Sequence, residues 1–213
     1  MLQQTQLAPV AAELLGDIRP LLEQIGSPGG MAALAAGAGA LSSGTVTNAR
    51  DLRLFLDNYH AKILRPVELP AIQRAFNHAA RNELRELIAY DKQLATEPVL
   101  QNFAAASRLV GHTQLQRLRP LRDQRLLKRY LAAVELNEAN GWHTLVYGLT
   151  LAVYSLPLRQ GLIGYAQQTT RGFIQAAARP LKLADAEADS MFDELSAGIS
   201  GAVETLLVQS VIA

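Results

Sequence analysis

Cysteine is absent from the 213 residues. That excludes a disulfide framework, a thiolate metal centre and a cysteine nucleophile, and it fits a cytoplasmic location. Charged residues make up only 18% and aromatic residues 6%. The net charge of +1 provides no global field for nucleic acid or a membrane surface. Apolar runs are broken by Arg, Gln, Thr or Pro well short of the roughly 18 residues that a spanning helix needs. The first twenty residues lack a basic leader, and Glu13 and Asp17 interrupt their apolar positions, so no signal peptide is expected. His60, His78, His112 and His143 have no second His or carboxylate at the i, i+4 spacing of a helical metal site. No G-x-S-x-G, P-loop or dinucleotide fingerprint occurs, and Gly37-Ala38-Gly39 lacks both the third glycine and a preceding strand. An enzyme is not expected.

What the chain does have is helical periodicity from end to end and no alternating, strand-like pattern. Pro9 to Ile25 reads as an amphipathic helix, and Gly26 to Gly30 as a strong break. Asn48 can cap the next helix, with Asp51 three residues on and a stripe of Leu52, Phe55, Leu56, Tyr59 and Ile63. Pro66 and Pro70 bracket a further start. Asn82 is expected to cap Leu84 to Leu94, and Pro98 to open a helix ending at Gly111. Leu115 to Leu136 reads as a helix kinked at Pro120. Gly141 to Asp185 then reads as two apolar helices joined at Ser155-Leu156-Pro157, and Asp185 as the cap of a terminal helix. Gly148, Gly161, Gly164 and Gly172 inside that hairpin suggest close helix-to-helix approach, since each costs about 1 kcal/mol against Ala. The fold expected is all-α: one domain over residues 1–213, with about ten helices around this central hairpin.

Two charge runs stand out, a basic one from Arg117 to Arg129 and an acidic one from Asp185 to Glu194. Both read first as solvated helix faces. Nucleic-acid binding by the basic run is a minor alternative, because no aromatic residues interleave with it to stack bases. Acidic residues in a first helical turn are explained by the macrodipole. His143, beside Trp142 at a helix start, reads as a satisfied core or capping residue.

Several weak motifs in collinear order carry a resemblance. His143 with the apolar run to Gly148 comes before a helix ending AAARPLKLAD (Ala176 to Asp185). This is similar to the closing half of the UreF-type urease accessory proteins, whose helix ends in an A-A-x-R-x-x-P-L-G-Q pattern. Arg179 and Leu183 match it; Lys182 stands at the Pro, Ala184 at the Gly and Asp185 at the Gln. Ser27-Pro28-Gly29-Gly30 and then Gly44 and Val46 follow the family's opening motif, with its Phe, Tyr, Ser and Glu replaced by Met31, Ala33, Leu34 and Ala38. Ser107, Arg108 and Gly111 match an S-R-x-x-G stretch.

The resemblance implies a diverged member of that family: a non-catalytic scaffold for nickel insertion into urease. Such a protein dimerises, joins a second accessory protein and recruits a nickel-loading GTPase to the urease apoprotein. Gly29, Gly30, Arg108, Gly111, His143, Arg179, Lys182 and Asp185 are the partner-binding residues it suggests. No cofactor is implied, and nickel would be handled by partners and held at most weakly. The erased polar motif leaves open another metalloenzyme as client, or a helical bundle that binds a small ligand.

Overall fold

The computed structural model describes residues 45–118 and 125–212. The expected N-terminal helix, Gly29, Gly30 and the kink at Pro120 lie outside them. Helix α1, Ala49–Tyr59, begins as its sequence directs. The Asp51 N–H donates to Asn48 Oδ1 at 3.0 Å, and the Asp51 carboxylate accepts from the Thr47 N–H (3.1 Å) and hydroxyl (2.7 Å). Leu52, Phe55, Leu56 and Tyr59 are all buried, the stripe read from their spacing.

The chain does not stop at the prolines that follow. His60–Glu68 continues α1 as a π-helical segment, which runs directly into α2, Leu69–Ala80. Proline breaks an α-helix because it lacks a donor and its ring strikes the preceding turn. Wider π turns, with Pro66 inside them, and Pro70 in the first turn of α2 let the rod pass through. Next come α3, Leu84–Leu94; a 3₁₀ turn, Pro98–Phe103; and α4, Ala104–Leu118. Helices α5, Arg125–Glu135; α6, His143–Val153; α7, Leu158–Leu181; α8, Asp185–Ser196; and α9, Ile199–Ile212 complete the described chain. No strand occurs among the described residues. Among the described residues, 49–80 form one continuous rod, 98–118 another, and α8 and α9 are separated only by Ala197-Gly198. That makes seven rods there against about ten helices expected over the whole chain, two of which fall before residue 45.

Helix α6 is the central rod, with every residue from His143 to Leu151 buried. A helix apolar all round has to be enclosed on all sides. Its long partner is α2, not α7 as the hairpin reading expected. The turn at Ser155-Leu156-Pro157 is present, but α7 meets α6 through long side chains. Tyr147 Oη donates to the Gly161 carbonyl at 2.9 Å, and Tyr147 and Tyr165 rings lie 5.1 Å apart. Close backbone approach is reserved for Gly148, where a Cβ would sit 2.3 Å from the Ile72 carbonyl oxygen of α2. Gly111 likewise does not end a helix. It lies inside α4, where a Cβ would fall 2.0 Å from the Gly141 oxygen. Gly164 differs, since its Cβ would find nothing nearer than Tyr147 Oη at 4.0 Å. Gly164→Ala should therefore raise stability by about 0.5–1 kcal/mol through helix propensity, read as a higher urea midpoint with an unchanged slope.

Four helix ends share one device. Asn82, Asn137, Ser155 and Lys182 all sit at φ between 53° and 59° just beyond a helix. Each is followed by a six-to-one hydrogen bond, as from Leu183 N–H to the Ala178 carbonyl at 2.9 Å. Asn82 thus closes α2 and does not cap α3 as expected. Asp185 is the first residue of α8, and Ala184 occupies the cap position with no side-chain bond. Helix α7 also packs against α1 and α2 and carries α8 and α9. These last two helices are held at the surface by Arg53 with Glu194, Arg159 with Glu204 and Arg171 with Asp189. Exposed pairs of this kind are screened by water and contribute little, so the buried faces around Met191, Ile199 and Val203 matter more.

Candidate functional site

The residues singled out in the sequence fall into two groups. Arg108, Gly111 and His143 meet where α4 crosses the start of α6. Arg179, Lys182 and Asp185 are exposed at the end of α7 and the start of α8. At the first place, contact is backbone on backbone: a Cβ on Gly111 would be 3.0 Å from His143 N. The His143 N–H donates to Ser107 Oγ at 3.3 Å, and its ring is buried beside Tyr147 and Tyr165. The Arg108 guanidinium lies over the Trp142 ring, 4.9 Å from its centroid.

What fixes this corner is Asp91, fully buried on α3. One carboxylate oxygen accepts from Asn140 N (2.6 Å) and Nδ2 (2.8 Å), the other from Tyr130 Oη (2.6 Å) and Gly141 N (2.9 Å). The Asp91 carbonyl takes the Trp142 indole N–H at 3.2 Å. A carboxylate buried this deeply is sustained only by such a full set of donors. The clamp holds the turn between α5 and α6 and lets Gly141 adopt φ 71°, a conformation other residues rarely take. Burial, reinforced by the Asp91 charge, pushes the Tyr130 hydroxyl far above its ordinary range.

Below this corner the π-helical segment turns Glu68 inward. Tyr59 Oη donates to its carboxylate at 2.5 Å, and Tyr165 also hydrogen-bonds it. With Ser107 and His143 these side chains line a cavity of about 20 Å³, room for one water. Burial pushes Glu68 up to about 7, against the opposing pull of the two tyrosines. On the same rod His60 bonds Thr170 Oγ1 at 2.7 Å, and burial with the nearby Arg65 charge lowers it to about 4. The folded state therefore keeps a proton on Glu68 that the unfolded chain releases near its ordinary 4.5. Stability falls as pH rises from 4.5 to 7 on its account. His60 acts the other way: the unfolded chain gains a proton below 6.5 that the folded one refuses down to about 4. Glu68→Gln should abolish the first trend and keep the second. Its urea midpoint relative to the parent should rise between pH 5 and pH 8, and a constant difference would remove Glu68 as the cause.

Among the described residues no group of three or more His, Asp or Glu is placed to hold a metal ion. None of their helices is long and apolar enough to cross a membrane. Sequence reasoning passed over Asp91 and Glu68. Asp91 was within reach, because it occupies the buried stripe of α3 between Leu87 and Leu94, where a carboxylate must find donors. For Glu68 the prolines on both sides hid a helix and so hid the face it points from.

The UreF family model matches residues 46–196 of the chain, the stretch from just before α1 to the end of α8. The chain is also similar to the urease accessory protein UreF of Sporosarcina pasteurii. They share 23% identity over 138 residues, which cover 65% of this chain and 68% of that protein.

Proposed function

The chain belongs to the UreF family, and from that premise we propose that it is a non-catalytic scaffold in urease maturation. The family match across α1 to α8 is the observation that carries this reading. In the proposal the chain forms a homodimer, binds a second accessory protein, and helps bring a nickel-loading GTPase to the urease apoprotein. Nickel is carried by those partners and not by this chain.

The end of α7 supports this reading as a partner surface. Arg179, Lys182 and Asp185 are exposed and sit at a well-defined helix stop, so their charges face outward from a fixed backbone. Charges placed at a rim act chiefly on association rate and partner choice. The test is the double variant Arg179→Glu with Lys182→Glu, assayed by pull-down of the purified second accessory protein, GTPase and urease apoprotein. Weakened complex formation is expected with the melting temperature unchanged, because both side chains are exposed. Unchanged capture would remove this end of α7 from the interface. Failure of the parent protein to join any of the three would overturn the scaffold reading itself.

A further inference from the structure

Between the outer face of α4 and the turn joining α5 to α6 lies a groove of about 510 Å³. Arg108, His112 and Gln116 line one side, and Glu135, Asn137 and Asn140 the other. Its volume falls within the range of about 300–1,000 Å³ typical of sites that enclose a ligand or a projecting side chain.

Three features define its chemistry. The first is Arg108, whose Nε is covered and has no hydrogen-bond acceptor. The guanidinium forms no ion pair among the described residues and is held over Trp142 by its ring face alone. A desolvated cationic donor without an acceptor is costly, and native structures leave few of them. Second, the floor is rigid: Asn140 and Trp142 are both bonded to Asp91, so little ordering is required when a ligand arrives. Third, an apolar side chain stands beside the cation: Leu109, on the groove wall, is 57% exposed, a large side chain left in water.

We propose that this groove docks a segment of a partner protein carrying an Asp or Glu next to a leucine-like residue, the carboxylate being taken by Arg108. The guanidinium fork would receive the carboxylate through two parallel hydrogen bonds, and Leu109 would cover the apolar neighbour. The inference rests on the scaffold reading for its biological setting, but not for its test.

Trp142 is the sole tryptophan and lies under Arg108, so its fluorescence reports directly on the groove. The probes are two blocked nonapeptides of Ser and Gly with a Leu on each side of the centre, one with a central Glu and one with a central Gln. A saturable change in Trp142 emission is expected with the Glu peptide at millimolar concentration or below. At least tenfold weaker binding is expected for the Gln peptide, and for the Glu peptide with Arg108→Lys, which keeps the charge and loses the fork. Equal titration by the two peptides, or no saturable change with either, overturns the proposal. Because that comparison uses the unaltered protein, it stands even if Arg108→Lys folds poorly. If the peptides fail while complexes with the accessory proteins still form, the groove assignment falls alone and the scaffold reading survives.

Discussion

Gly148→Ala is expected to destabilise the protein by about 3 kcal/mol or more, at or beyond the upper end of ordinary overpacking. The added methyl would lie 2.3 Å from the Ile72 carbonyl oxygen and 3.1 Å from its carbon. Both are backbone atoms in the middle of α2 and cannot swing aside as a flexible side chain would. Helices α2 and α6 would have to move apart, loosening the longest contact in the core at once. Urea denaturation measures the effect, and the contrast with Gly164→Ala, sixteen residues on, makes it specific. One glycine is required by its neighbour; the other has room for a methyl. A small cost at Gly148 would mean that α2 and α6 are not held at this distance in solution.

Asp91→Ala should be comparably severe, about 3–5 kcal/mol, because it strands several buried donors together. Tyr130 Oη, Asn140 N and Nδ2, and Gly141 N all end on that carboxylate. Asp91→Asn, nearly the same shape, should recover only part of the loss, since its amide group turns a donor toward other donors. Amide hydrogen exchange separates this from a general loss of packing. Asn140 and Gly141 should become fast-exchanging in both variants while the amides of α7 stay protected. If Asp91→Asn is as stable as the parent, the clamp is not what fixes the turn.

The class of fold was legible because buried stripes repeat at helical spacing, and Leu52, Phe55, Leu56 and Tyr59 lie where that spacing put them. Asn48 was legible as a cap for a local reason: its partner is three residues away. What periodicity does not carry is the identity of the facing element. Gly148 of α6 announced a close neighbour, but nothing in its position chooses α2 over the helix that comes next in the chain. Punctuation misled in the same way. Pro66, Pro70 and Gly111 are local helix breakers by propensity, yet the helix runs through all three. It does so at the prolines by a π-wide turn and a first-turn position, and at Gly111 because a neighbouring turn crosses it. At Gly111 the missing side chain serves the α6 turn that crosses it, which no window on α4 contains. The site followed suit. Arg108 and Gly111 do adjoin His143, yet the carboxylates beneath them come from α3 and from a rod that a proline rule had divided.

The pairing of α2 with α6 also bears on biosynthesis. The rod that ends at Ala80 is made about sixty residues before His143, and emerges ahead of it by the same interval, roughly 3–12 s at ordinary elongation rates. Throughout it the face carrying Ala71, Ile72 and Ala75 has no permanent cover. A nascent chain in that condition invites holdase chaperones and mispairing with other chains, so expression yield should respond to translation speed between α2 and α6. Slow codons there would prolong the exposure, whereas slow codons near the end of the chain would fall when α6 has emerged and the central contact can close.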